Sequence, residues 1–151
     1  MTLASNRHIQ RTATLGTAML ALGMAAFAFA QGLPRSAAPD KARVYFISPS
    51  DGQVVTSPVT VRFGLENMGV APAGTAGDGV GHHHLVVDSP LPVLDQPLPK
   101  DDRHLHFGKG QTETVLKLAP GKHTLQLVLG DANHIPHQPA VVSERITITV
   151  K

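Results

Sequence analysis

The chain has 151 residues, with 13 lysine and arginine side chains, 11 aspartate and glutamate side chains, nine histidines and no cysteine. The lack of cysteine excludes disulfide bonds, thiolate nucleophiles and cysteine-based zinc or blue-copper sites. Any bound metal would therefore need histidine, carboxylate or methionine ligands.

The start of the chain has the pattern of a secretory signal peptide. Arg7 and Arg11 give a positive beginning, residues 12–30 are almost entirely small or apolar, and the segment ends in Ala-Phe-Ala at Ala30. A membrane anchor is the alternative for an apolar run of this length, but this ending favours cleavage after Ala30. The sequence thus predicts a periplasmic or secreted protein with no membrane span in its mature form.

The remaining residues, 31–151, are enough for one domain with one core. Without the two leader arginines this part carries 11 basic and 11 acidic side chains, so its charge gives no support to nucleic-acid or anionic-membrane binding. Residues 31–42 contain proline, alanine and serine without alternation and predict a flexible lead-in. The folded domain is predicted over residues 43–151.

Seven short stretches of this domain have β-branched residues or apolar residues at every second position, which is typical of strands. Turn signals rich in glycine and proline separate them, and no amphipathic helix is predicted. The pattern indicates an immunoglobulin-like antiparallel β-sandwich. Two longer connections, the glycine-rich residues 69–81 and the proline-rich residues 89–103, are predicted to be surface loops. The predicted strands are 44–48, 53–65, 82–88, 104–107, 111–118, 123–130 and 141–150.

The sequence GHHHLVVD at residues 81–88 is the most informative stretch. Side chains alternate between the two faces of a strand. If Leu85 and Val87 face the core, His83 lies on the core side, whereas His82 and His84 point outward. No single ion can easily bind all three histidines of a regular strand.

A second pair of histidines, His104 and His106, also points outward if the residues between and after them are buried. Cross-strand neighbours lie roughly 5 Å apart, so two His-x-His strands side by side could bind one ion about 2.0 Å from each nitrogen. The first-choice metal ligands are therefore His82, His84, His104 and His106, provided that the two strands are neighbours.

A second grouping collects histidines from strand ends and from the connector after residue 130. Strand ends and loops often share one rim of a sandwich. Such a site would suit copper, zinc or nickel, and Met68 could add a soft ligand for reduced copper. The members of this grouping are His83, His123, His134 and His137.

Histidines also have a structural use, because a neutral imidazole can donate a hydrogen bond that ends a strand or fixes a loop. The alternative function is therefore a metal-free structural or protein-interaction module of the cell envelope. The stretch HLHFG at residues 104–108 also resembles the copper-binding stretch of copper/zinc superoxide dismutases, although the cysteines of that family are absent. That resemblance implies a copper enzyme, whereas no residue pattern predicts a catalytic group.

Four segments together carry a wider resemblance, to the bacterial DUF4399 family, a domain of unknown function. It covers about residues 43–151 and implies a small exported single-domain protein, without an established activity or ligand. The segments are VYFISPSDGQVVTSPVTVRFGLENMGVAPAG, GHHHLVVD, HFGKGQTETVLKLAPGKHTLQLVLGD and HIPHQPAVVSERITITV.

Overall fold

A computed structural model describes residues 33–151 of the chain. The predicted signal peptide and its cleavage point lie outside these described residues, so both stay predictions. Within residues 33–151 the regular structure consists of strands alone, and no helix there is long and apolar enough to cross a membrane.

The described domain contains nine strands. Seven of them have three or more residues and correspond to the seven predicted stretches, while β2 and β4 have two residues each. The strands are β1 (Arg43–Ser48), β2 (Val54–Val55), β3 (Val59–Glu66), β4 (Gly69–Val70), β5 (Val80–Val87), β6 (His104–His106), β7 (Glu113–Leu116), β8 (Gly121–Gly130) and β9 (Ile146–Val150).

The strands form two sheets, which confirms the predicted β-sandwich. The smaller sheet has the order β1-β3-β7, and the larger has the order β2-β9-β8-β5-β4, with β6 also paired to β5. Apolar residues at alternate positions of both sheets meet between them and form the main core. Its members include Val61, Phe63, Leu85, Leu127 and Ile148.

Strand β5 lies between two antiparallel partners at its centre. His84 is opposite Val128 of β8 on one side and opposite His106 of β6 on the other. The adjacency of the two histidine-bearing strands, which the sequence left open, is therefore confirmed. Because Leu85 is fully buried in the main core, His82 and His84 lie on the outer face of the larger sheet.

A second, smaller core covers that outer face. Val86 of β5 and Val128 of β8 pack against Leu98, which belongs to the proline-rich connection at residues 88–103. The sequence predicted a surface loop here, because prolines prevent regular pairing. The connection is irregular, but its leucines cover the apolar outer face of the sheet, since an uncovered patch would be costly in water.

The segment before β1 makes polar contacts with the connector that follows β8. The Arg35 guanidinium donates to the carbonyls of Pro136 and His137, and the Ser36 hydroxyl donates to Asp131 Oδ2 at 2.9 Å. The lead-in was predicted to be flexible because it has no apolar alternation. Hydrogen bonds connect this segment to the connector, and they include one from the backbone N–H of Ala38. Such polar contacts do not require alternating apolar residues, so the sequence pattern does not reveal them.

Candidate metal centre

Four histidines converge on the outer face of the larger sheet. One potential ligand atom from each of them lies within 4.8 Å of those from the other three. His82 and His84 come from β5, His106 comes from β6, and His134 comes from the turn after β8. The ring centroids of His84 and His106 are 5.0 Å apart, as expected for facing residues of paired strands.

Two glycines beside the cluster leave room for its rings. A Cβ atom on Gly130 would lie 3.0 Å from His84 Nε2, and a Cβ atom on Gly108 would lie 2.5 Å from His106 Nε2. Contacts this short would force the rings to move. The small size of both glycines is therefore part of the way in which the sequence positions His84 and His106.

The fourth histidine is positioned by a turn that Asp131 organises. The Asp131 carboxylate accepts hydrogen bonds from the backbone N–H groups of Asn133 and Ile135 at 2.9 and 3.0 Å. Burial favours the neutral form of Asp131, but these bonds and that from Ser36 outweigh it and lower its pKa. Between the two donors, His134 has a positive φ of 64°, an uncommon backbone conformation for a residue with a side chain.

The four imidazoles do not satisfy each other's hydrogen-bonding capacity. His82 Nε2 lies 3.0 Å from both His84 Nε2 and His134 Nδ1, although a neutral imidazole has one donor and one acceptor nitrogen. Three buried nitrogens, His82 Nδ1, His84 Nδ1 and His106 Nε2, have no partner within residues 33–151. Each such atom costs about 1–3 kcal/mol. The cluster is thus unfavourable for folding alone, which points to a function.

Burial favours the neutral form of three of these imidazoles. It lowers the pKa of His82 to about 4 and that of His84 to about 2, with smaller contributions from the neighbouring histidines. The pKa of His106 is also lowered, mainly by burial. Neutral imidazoles have a free nitrogen lone pair, so their protons do not compete with a metal ion at neutral pH.

The spacing of the nitrogens suits a single transition-metal ion. Bonds of about 2.0–2.1 Å place nitrogens about 3.3 Å apart around a tetrahedral ion and about 4 Å apart across a square one. The observed distances, 3.0 Å for two pairs and at most 4.8 Å overall, bracket both values. The spacing is therefore compatible with one ion bound by all four nitrogens.

Access to the cluster is from one side. A cavity of about 220 Å³ lies over it and is lined by His84, Leu98, Lys100, His106 and His134. His82, with 1% of its surface exposed, is not among the residues that line this cavity. The cavity therefore gives an ion access to His84, His106 and His134.

One of the four first-choice ligands, His104, is not part of the cluster. It shares the outward face with His106, but it is paired with Val86, which is two residues beyond His84 on β5. Its Nδ1 atom is 2.8 Å from the carboxylate of Asp101, which precedes the turn that leads into β6. Antiparallel pairing thus moves His104 away from His82, and His134 is the fourth member instead.

The second grouping does not form either, apart from His134. His83 points into the main core, with its ring centroid 5.2 Å from that of Phe63. His123 lies near the start of β8, about 23 Å of strand from the end that leads to His134. Met68 also packs against the main core, on the other side of the sheet from the cluster.

His123 and His137 instead make structural hydrogen bonds. His123 Nδ1 lies 2.6 Å from Asp88 Oδ2, and its Nε2 lies 2.8 Å from the carbonyl oxygen of Ala119. These contacts, above all the bond with Asp88, raise the pKa of His123. His137 is buried and donates through Nε2 to the Val80 carbonyl at 3.2 Å. Both histidines therefore have the structural role that the sequence analysis gave as the alternative to metal binding.

Fold and site together define a small β-sandwich protein with a four-histidine candidate metal centre on the outer face of its larger sheet. The family model of DUF4399, a domain of unknown function, matches residues 61–151. The chain therefore belongs to the DUF4399 family, as its sequence indicated, and the matched region includes all four histidines. No curated protein and no solved structure matches the chain.

Proposed function

We propose that this protein is an exported metal-binding protein, which holds one copper or zinc ion through His82, His84, His106 and His134 for storage, delivery or sensing. The observation that carries the proposal is the convergence of four potential ligand atoms within 4.8 Å. The 3.0 Å contacts of His82 Nε2 with both His84 Nε2 and His134 Nδ1 support it, because one nitrogen of a neutral imidazole forms a single good hydrogen bond, whereas one metal ion can bind all three nitrogens.

The ligand set favours a borderline transition metal. Imidazole nitrogen suits copper, zinc and nickel, whereas magnesium and calcium prefer carboxylate and carbonyl oxygens, and the four residues offer no oxygen. Divalent copper generally binds a nitrogen site more tightly than zinc. We therefore infer that copper(II) has the highest affinity in vitro, and that the metal held in the cell also depends on supply.

Export to the periplasm or beyond is part of the proposal. The signal-peptide pattern ending at Ala30 supports it, and so does the lack of cysteine, because a site built from imidazoles alone keeps its ligands in an oxidising compartment. In such a compartment the protein would meet metal ions before the cytoplasm does. An envelope protein that receives the ion would be its partner.

Direct titration tests the proposal. Tag-free protein expressed from its full sequence should bind one equivalent of copper(II), and one of zinc(II), more tightly than micromolar in isothermal titration calorimetry. A polyhistidine tag must be absent, because it would bind the same ions. If neither ion binds more tightly than micromolar, the metal proposal fails and the metal-free envelope module becomes the better description.

A substitution beside the cluster should weaken metal binding without touching a ligand. In Gly108→Ala, the added methyl group would lie 2.3–2.5 Å from atoms of the His106 ring and displace it. We expect a loss of roughly tenfold or more in metal affinity, because coordination depends on ligand position to a fraction of an ångström. Gly77→Ala is the matched control, since its nearest atom is on Val80 at 3.3 Å, away from the cluster. Equal losses in both variants would contradict this account.

A further inference from the structure

A single charged side chain lines the mouth of the metal centre. Among the residues that line the 220 Å³ cavity, Lys100 alone carries a formal charge, and the others are Leu98 and three of the candidate ligands. His82, the fourth candidate ligand, is buried and is not among the lining residues. An ion held by the four imidazoles would therefore have its accessible side toward Lys100.

The chain on both sides of Lys100 is fixed. Leu98 is buried in the small outer core, and its backbone N–H donates to the carbonyl of His134 at 2.8 Å. Asp101 follows directly, and its carboxylate accepts hydrogen bonds from the backbone N–H groups of Arg103 and His104. Lys100 is itself exposed, so its ammonium group is free to pair with a ligand while its backbone stays beside the cavity.

Charge in this cavity is unbalanced once a metal is present. Four neutral imidazoles leave a divalent ion with its full charge, and no carboxylate is among the cavity-lining residues in the part of the chain that the structure describes. The Lys100 ammonium adds a further positive charge close by. A small anion that enters the cavity and contacts both groups is therefore attracted by two positive charges, which favours it over a neutral ligand.

We propose that the cavity binds a small anion, which coordinates the metal on its accessible side and pairs with the Lys100 ammonium. This inference rests on the proposed metal function and names the class of external ligand that the centre takes. The cavity is smaller than the roughly 300–1,000 Å³ of sites for drug-sized molecules, so a ligand of a few atoms fits it.

Azide is a suitable probe, because it is a small anion whose binding to copper(II) produces a charge-transfer absorption band. Tag-free protein would first be loaded with one equivalent of copper(II) and then titrated with sodium azide. Wild-type protein should bind azide, Lys100→Met should bind it about tenfold more weakly, and Lys100→Arg should stay close to wild type. Lys109→Met is the control, because Lys109 is exposed and outside the cavity lining.

The possible failures are distinguishable. Protein that binds copper but gives no azide band, or a Lys100→Met variant that binds azide as tightly as wild type, would overturn the anion site and leave metal binding intact. A weakening of the same size in Lys109→Met would also overturn it, since it would show a general charge effect. Protein that takes up no copper in the loading step would remove the metal proposal and the anion site together.

Discussion

Substitution of His106 by glutamine should reduce the affinity for copper(II) and for zinc(II) by at least about 100-fold, whereas His104→Gln should bind as tightly as the wild type. The two histidines are two residues apart on the same strand and face the same way. Only His106 has a ring nitrogen within reach of the other three imidazoles. Loss of even an indirect support of a metal ligand typically costs 10–100-fold, so loss of a ligand itself should cost more.

This pair of variants is a sharp test because neither residue is fully buried. Both substitutions are therefore expected to leave the fold intact, which circular dichroism and the unfolding temperature would check. His84→Ala should abolish binding as well, but it also opens a buried space and needs that stability control more. If His104→Gln loses affinity and His106→Gln does not, the cluster formed by His82, His84, His106 and His134 is not the metal site.

The metal-free protein should lose stability steeply as the pH falls below about 6.5. His82, His83 and His84 are neutral and buried, and burial lowers the pKa of His82 and His83 to about 4 and of His84 to about 2. In the unfolded chain a histidine takes up a proton near pH 6.5. Between these values the unfolded state binds more protons, so stability present above pH 6.5 is lost toward pH 4.

The expected slope is about 1.4 kcal/mol per pH unit for each histidine that stays neutral in the fold. His123 acts in the opposite direction, because its pKa is raised by Asp88, and its contribution is present below pH 6.5 and lost as the pH rises through the raised value. The pKa is lowered for four histidines, since His106 shares the effect, and raised for one, so the net result is still a loss of stability in acid. Denaturant unfolding at pH 7.5, 6.5 and 5.5 measures the slope directly.

His83→Leu provides the control for this pH dependence. The ring of His83 lies in the main core, and neither of its nitrogens has a hydrogen-bond partner among the described residues. Leucine at this position should therefore stabilise the protein and reduce the slope of stability against pH by about 1.4 kcal/mol per pH unit. Metal binding should be unchanged in this variant. Saturating zinc(II) should raise the stability of both proteins at pH 6.5. A slope near zero in the wild type would contradict the assignment of neutral buried imidazoles.

Alternation along the strands was enough to predict most of the sandwich and the outward face of the cluster. It placed His82 and His84 together, and it placed His106 on the same face. It could not give the register between β5 and β6, and this register decides that His106, rather than His104, lies opposite His84. Strand pairing depends on contacts between distant segments, which a pattern of period two does not contain.

The remaining parts of the site depend on irregular chain. His134 reaches the cluster because the hydrogen bonds to Asp131 organise the turn that contains it, in which His134 has a positive φ. Neither the hydrogen bonds nor the positive φ produces a periodic pattern in the sequence. Residues 89–103 were predicted to be a surface loop because of their prolines, yet Leu98 is buried and brings Lys100 to the cavity. In both cases the tertiary packing of single side chains, rather than a local preference, determines the position.

The placement of the cluster outside the main core has a mechanical consequence. Its members come from β5, from β6 and from the turn after β8, and ligands from different segments are more than twenty residues apart in the chain. A bound ion would join these segments as a cross-link and restrict the unfolded chain, much as a disulfide does. A chain without cysteine would thereby have a cross-link that forms when metal is available and is released when metal is removed.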